Sequence, residues 1–433
     1  MTDLLFIEGG RVIDPASGTD GDRTVVIRDG VVAEVAERVE RPRDARLIDA
    51  RGRWVTPGFI DLHVHLREPG QEYKETVATG AGAAAAGGFT AVCAMPNTRP
   101  VNDSAAVTEL IRSRASAAGL ARVYPVGAIS KGSSGEELAE YGELKEAGCV
   151  ALSDDGRPVT SSALMRRALE YARAFGLPLT VHEEDLQLVG KGVMHEGPAS
   201  TRLGLRGIPG QAEDVMVLRD IALVELTGGR LHVAHLSTRG AVRAVREARR
   251  RGLPVTAEVT PHHLALTDED VAASGYSTDF KMSPPLRGAE DVEACREALA
   301  DGTIDAIATD HAPHSAVEKD VEFDAAANGI IGLETAFAVC MTLVRAGLLA
   351  DRRLVEALTV GPARAFGLPG GRLARGAPAD VAVLDPGVEW VVEPARFKSK
   401  GRNTPWKGKR VFGRCTHTIV GGRIVYEQGR ADR

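Results

Sequence analysis

The sequence predicts an α/β chain, a (β/α)8 TIM barrel with a small β-sandwich domain formed by both chain termini, and three observations carry that reading. From Trp54 to about Gly367, apolar runs of strand length alternate with Ala-rich helical stretches, the pattern of parallel strands joined by helical crossovers. The apolar runs number eight, as a closed barrel of this kind requires. Outside that region both ends of the chain change to short β-rich runs separated by turn residues, which read as hairpins.

In chain order, the first β runs are Leu4 to Glu8, Thr24 to Arg28 before Asp29-Gly30, Val31 to Val35, and Leu47 to Asp49. The barrel strands are expected at Phe59 to His65, Thr90 to Met95, Arg122 to Gly127, Cys149 to Ser153, Pro178 to His182, Leu231 to His235, Val255 to Val259, and Ile304 to Asp310. Ala83 to Ala86 suits a close-packed helix face. Gly190 to Gly210 contains several glycines with Pro198 and Pro209, so a long loop at the barrel mouth is expected there, serving as a lid or subunit contact. The runs Ala379 to Asp385 and Thr416 to Tyr426 return to β character. The expected domains are therefore 1–55 with 368–433, and 56–367.

A chain of 433 residues with 44% hydrophobic content can bury a large core. Its net charge is 53 − 59 = −6, with no long block of one sign. That excludes an electrostatic footprint for nucleic acid or an anionic membrane, so an anionic substrate must be met by local cations. The five cysteines are scattered and in no paired spacing, which argues against a disulfide framework or a thiolate zinc site and fits a reducing compartment. The N-terminus carries no basic segment followed by an apolar run, and no apolar stretch reaches the ~18 residues of a membrane span. A cytoplasmic protein is expected.

Chemistry is concentrated at strand ends. In Phe59-Ile60-Asp61-Leu62-His63-Val64-His65, the histidines two apart share a face of an extended chain and can chelate one ion. Alone, His-x-His is weak evidence, and each further histidine by itself reads as a hydrogen-bonded structural residue. However, His182, His235 and Asp310 also close apolar strands, at the face where barrels place active sites. Two divalent ions need a ligand that spans both, and the fourth strand ends in Asp154-Asp155. Adjacent residues of an extended chain cannot both point inward, and spacing leaves the choice open. Imidazole and carboxylate without thiolate suit zinc. Two such ions lower the pKa of a bridging water, giving hydroxide near neutral pH, and polarise a carbonyl, so amide hydrolysis is the natural reaction. Asp310 can take the proton from the attacking water and return it to the leaving nitrogen.

The runs His63-Val64-His65-Leu66-Arg67-Glu68-Pro69-Gly70, Met95-Pro96-Asn97-Thr98, Ser153-Asp154-Asp155-Gly156 and Ala308-Thr309-Asp310-His311-Ala312-Pro313-His314 resemble the long-chain bacterial dihydroorotases of the amidohydrolase superfamily. The resemblance extends over nearly the whole chain. It implies two zinc ions, with His63, His65 and Asp310 on one, His182 and His235 on the other, and Asp155 bridging where many relatives carry a carboxylated lysine. The fourth strand here has no lysine, and Lys145 reads as part of the preceding helix. The implied reaction is the reversible interconversion of (S)-dihydroorotate and N-carbamoyl-L-aspartate in de novo pyrimidine biosynthesis. That substrate carries a carboxylate, which needs pairing in a dry pocket, and the planar fork of Arg67 suits it. By resemblance Asn97 and His314 complete the carboxylate site, and His65 also borders the substrate. Two departures stand out. Ser283 occupies a position where many relatives have a substrate-contacting Asn, and Ala327-Asn328-Gly329 replaces a Pro-Phe-Gly run. Gly329 is retained, so contacts through the Asn328-Gly329 backbone are compatible with the change.

A hydantoinase, dihydropyrimidinase or allantoinase would share the barrel, metals and ring opening. Arg67 discriminates, because hydantoin and dihydropyrimidine rings carry no carboxylate. A reading from another class is a non-catalytic, dihydroorotase-like partner of aspartate transcarbamoylase. The full set of ligand residues argues against such degeneration, yet leaves association with that enzyme, or a homo-oligomer, open. A metal-free binding barrel would contain no metal on elemental analysis.

Overall fold

The computed structural model describes residues 4–430. Five strands open the chain: β1 (Leu4–Asp14), β2 (Thr19–Arg28), β3 (Val31–Ala36), β4 (Arg46–Asp49) and β5 (Trp54–Pro57). Asp29 (φ 51°) and Gly30 (φ 83°) both take left-handed backbone between β2 and β3, the tight hairpin that Asp-Gly favours. β1 changes partner part-way along. Leu5–Glu8 pair in parallel with β4, whereas Arg11–Val12 pair in parallel with β5.

The barrel strands follow as β6 (Phe59–Val64), β7 (Phe89–Ala94), β8 (Arg122–Gly127), β9 (Ala151–Leu152) and β10 (Leu179–Val181). An excursion carries β11 (Met194–His195) and β12 (Gly207–Ile208), after which β13 (Leu231–Val233), β14 (Val255–Val259) and β15 (Ala306–Ile307) complete the set. Leaving out β11 and β12, these eight pair in chain order in one sheet. His65 N–H donates to His311 O at 2.9 Å and Val64 bridges His311 in parallel, which brings the last strand's exit beside the first. Every residue of β6 and β7 is buried, as expected for parallel strands covered on both faces. Ala83 to Ala86 are buried on helix Val77–Ala86.

Several barrel strands are shorter than the apolar runs. The chain leaves extended geometry where it turns a side chain into the mouth, and Arg67 (φ 62°), His235 (φ 31°) and Asp310 (φ 48°) all adopt positive φ. Such backbone costs on the order of 1–3 kcal/mol per residue and clusters at functional sites. The Gly190 to Gly210 segment also departs from the expected loop. β11 and β12 pair in parallel, and helix Pro198–Leu203 lies between them, so its backbone groups find partners inside the segment.

The chain ends meet in a second sheet. β16 (Val381–Val391), β17 (Arg410–Val420) and β18 (Arg423–Glu427) extend it in the order β18-β17-β16-β5-β1-β2-β3, with β4 beside β1. Its core contains Leu5, Ile7, Val12, Val25, Val381, Val383 and Ile419. Among the described residues, no helix is long and apolar enough to cross a membrane. All five cysteines are free and buried.

Candidate metal and substrate site

Asp155 lies at the centre of the barrel mouth. Its Oδ1 is 3.3 Å from His63 Nε2 and 3.8 Å from both His182 Nδ1 and His235 Nε2, while Oδ2 is 3.5 Å from His65 Nε2. Two potential ligand groups share it: His63, His65 and Asp155, and Asp155, His182 and His235, each with ligand atoms within 4.8 Å of one another. Asp310 joins the first, with Oδ1 3.0 Å from His65 Nε2 and 3.5 Å from His63 Nε2. Asp154 points elsewhere. Its Oδ1 accepts from the Ile129 and Ser130 N–H groups at 2.9 and 3.0 Å, and its Oδ2 accepts from the Ser130 hydroxyl.

The side-chain atoms present fit a pair of divalent ions. His63 Nε2 is buried without a hydrogen-bond partner, although two carboxylates flank it. His182 Nδ1 and His235 Nε2 face each other at 2.9 Å. The second ring nitrogens of His63 and His65 are anchored as in metal-binding histidines: His63 Nδ1 lies 2.9 Å from Glu258 Oε1, and His65 Nδ1 lies 2.9 Å from Asn97 Oδ1. With the N–H on Nδ1 in each ring, Nε2 presents a lone pair to the centre. Burial raises the Glu258 carboxyl, but His232 and His63 outweigh it and hold it at about 2. Burial also opposes ionisation of Asp155 and Asp310, yet the surrounding imidazoles, His63 foremost, keep both below the usual carboxylate range.

The adjoining cavity has a volume of about 220 Å³. His65, Asp155, His182, His235 and Asp310 line it, together with Arg67, Asn97, Ser283, His314, Asn328 and Gly329 among others. His63 sits beneath this surface, fully buried. Arg67 is only 8% exposed. Its Nε donates to Pro313 O at 3.2 Å and its Nη2 lies 3.4 Å from His314 Nε2, and among the described residues it forms no ion pair. Burial draws its pKa down, as expected for a desolvated cation awaiting an anion.

His314 is held neutral by burial and by Arg67, with its pKa at about 3, and its Nε2–H donates to Asn328 O at 2.8 Å. Asn97 turns its amide nitrogen to Asp155 Oδ2 at 3.3 Å, so it meets the ligand cluster as well as the pocket. The Ser283 hydroxyl reaches Glu184 Oε1 at 3.4 Å. Gly329 has φ 121°, and a Cβ there would lie 2.6 Å from Ala312 Cβ, so a side chain at this position would be strained and would clash with its neighbour.

Residues 52–241 match the family model described as "Dihydro-orotase-like". Over all 433 residues the chain is 86% identical to the dihydroorotase of Anaeromyxobacter sp. (strain K), covering 100% of both. It is 55% identical over 424 residues to the dihydroorotase of Geotalea daltonii, covering 98% of this chain and 99% of that one. The chain belongs to the dihydroorotase family. Its fold extends beyond that family: the L-hydantoinase (dihydropyrimidinase) from Arthrobacter aurescens superposes with a TM-score of 0.88 at 26% identity, covering 100% of this chain and 98% of that one.

Compared with the sequence reading of this dihydroorotase-family chain, the structure adds Glu258, His232 and Glu184 around the ligand cluster. Glu258 carried a usable signal, a carboxylate inside the apolar run Val255–Val259. Glu184 stood two residues beyond His182. For His232, which lies 3.1 Å from Glu258 Oε2, position in the sequence offered no distinction from a packed histidine.

Proposed function

We propose that this chain interconverts (S)-dihydroorotate and N-carbamoyl-L-aspartate, with zinc held by His63, His65 and Asp310 on one side, His182 and His235 on the other, and Asp155 between them. The observation that carries the substrate choice is the buried, ion-pair-free Arg67 that lines the same cavity as the ligand cluster. A substrate carboxylate supplies the missing anion, and the guanidinium can bind it with two hydrogen bonds. When bound, the metal ions supply Lewis acidity, which lowers the pKa of water and polarises the ring carbonyl.

The chain's own residues do the rest. Asp310, ionised at neutral pH, accepts the proton from the attacking water and delivers it to the ring nitrogen as the C–N bond opens. In the reverse direction the same carboxylate takes the proton from the ureido nitrogen. Glu258 and Asn97 fix the tautomers of His63 and His65, and Arg67 fixes the ring's orientation. The boundaries 1–55 with 368–433, and 56–367, belong to the same proposal.

Fold likeness to a hydantoinase does not decide the substrate, because function resides in the site. The test is a side-by-side assay of metal-analysed protein on dihydroorotate, hydantoin, dihydrouracil and allantoin, repeated with Arg67→Ala. Turnover is expected on dihydroorotate alone, with zinc present. The variant should raise KM at least about 30-fold, equivalent to about 2 kcal/mol of lost charge pairing. Equal turnover of hydantoin, or an unchanged KM in the variant, would remove the carboxylate argument.

A further inference from the structure

Part of the cavity wall is built from irregular chain. Ala312 and His314 lie beyond β15, Asn328 and Gly329 lie on a later segment, and Ser283 lies on an earlier one. Backbone hydrogen bonds link these segments, from Ala312 N–H to Ile330 O at 2.8 Å and from Gly329 N–H to Lys281 O at 3.0 Å, and two buried side chains outside the cavity reinforce them.

Asn403, 5% exposed, comes from the connection between β16 and β17. Its Oδ1 accepts from the His314 N–H at 3.1 Å, and its Nδ2 donates to Ala312 O at 3.0 Å and to Gly329 O at 3.1 Å. Its own carbonyl accepts from the Ile331 N–H at 2.9 Å. The amide therefore spends both donors and an acceptor on two segments of the wall. Lys319, 7% exposed, approaches the same carbonyl from another side. Its Nζ donates to Gly329 O at 3.0 Å, to Ala327 O at 2.9 Å and to Lys281 O at 3.4 Å. An ammonium has three protons, and here each faces one backbone carbonyl, one of them two residues before Ser283.

We propose that Asn403 and Lys319 are positioning residues for recognition of the substrate carboxylate, an inference that rests on the dihydroorotate reading above. They act through the segments they clamp. Pro313 O, which orients the Arg67 Nε–H, stands between the two residues that Asn403 holds. Asn328 O, to which His314 donates, stands between the two carbonyls that Lys319 holds. Neither side chain hydrogen-bonds to His63, His65, Asp155, His182, His235 or Asp310 among the described residues. Loosening the clamp displaces the carboxylate-binding groups while the ligand cluster and Asp310 keep their places on the strand ends. The consequence falls on KM more than on kcat.

Asn403→Asp is isosteric but replaces the two N–H donors with an acceptor facing two carbonyls. Lys319→Met keeps most of the stem and removes all three donors. The experiment compares kcat, KM and zinc content for the parent, Asn403→Asp and Lys319→Met with dihydroorotate. Both variants should raise KM at least about tenfold, with kcat within about threefold of the parent and zinc content unchanged. Lack of turnover by the parent removes the functional reading and this inference with it. Normal parent turnover with an unchanged KM in either folded variant, or a fall in kcat alone, overturns the inference while leaving that reading intact. Should one variant fail to fold, the other decides.

Discussion

Asp310 shows how much a single residue has to reconcile. Its Oδ1 lies 3.0 Å from His65 Nε2, its backbone is left-handed, and it is buried, which opposes a charge. His63 and His65 nevertheless hold it ionised, as a proton acceptor must be. Asn in its place keeps the shape and one oxygen ligand but cannot carry the proton. Asp310→Asn is therefore expected to retain part of its metal and to lose about 10²–10⁴ in kcat, the range for general acid–base catalysis. Steady-state assay of metal-analysed variant checks this, and normal turnover would eliminate the proposed proton shuttle. At this scale the sequence made the residue types legible, because imidazoles and carboxylates at apolar strand ends stand out. It left Asp154 and Asp155 equivalent. What separates them is the pair of N–H groups from Ile129 and Ser130 that occupies Asp154, a contact between neighbouring strands that no local pattern records.

Among the elements, β14 has a burden its apolar composition conceals. Glu258 is fully buried in it and faces His63 on one oxygen and His232 on the other. The strand was legible because residues covered on both faces leave a continuous apolar run. The role of its one carboxylate was not, since His63 and Glu258 are 195 positions apart. Strand ends were blurred for a related reason: at His235 and Asp310 the backbone abandons extended geometry to aim a side chain, and the residue pattern continues regardless. Glu258→Gln preserves size and can still accept from His63 Nδ1–H, but it removes the charge that makes that imidazole a stronger ligand. Metal affinity is expected to fall by about 10–100-fold, as measured by competition with a chelator. Undiminished affinity would mean that Glu258 only fills space.

Over the whole molecule, composition identified both termini as β structure, but nothing in it indicated that the connection between β16 and β17 runs to the barrel mouth. Long-range contacts hold it there. Glu75 accepts from the Ser399 hydroxyl and the Lys400 N–H at 2.5 and 3.0 Å, and Glu334 Oε1 accepts from the Lys398 and Ser399 N–H groups at 2.9 and 3.1 Å. Burial pushes the Glu334 carboxyl up to about 8, against those two N–H groups. Between the unfolded value of 4.5 and that raised value, the folded chain binds a proton that the unfolded chain has lost. This group's contribution is therefore most favourable at low pH and declines as pH rises through the window, after which it is constant. Glu334→Gln is neutral throughout and can keep both N–H bonds on its single carbonyl oxygen, so it lacks this dependence. Denaturant midpoints measured from pH 5 to 9 should show the variant gaining on the parent up to about pH 8 and no further. Parallel profiles would show that Glu334 does not take up a proton in that range. A gain confined to it would mean that the folded chain holds a proton on Glu334 beside the β16–β17 connection that the unfolded chain releases.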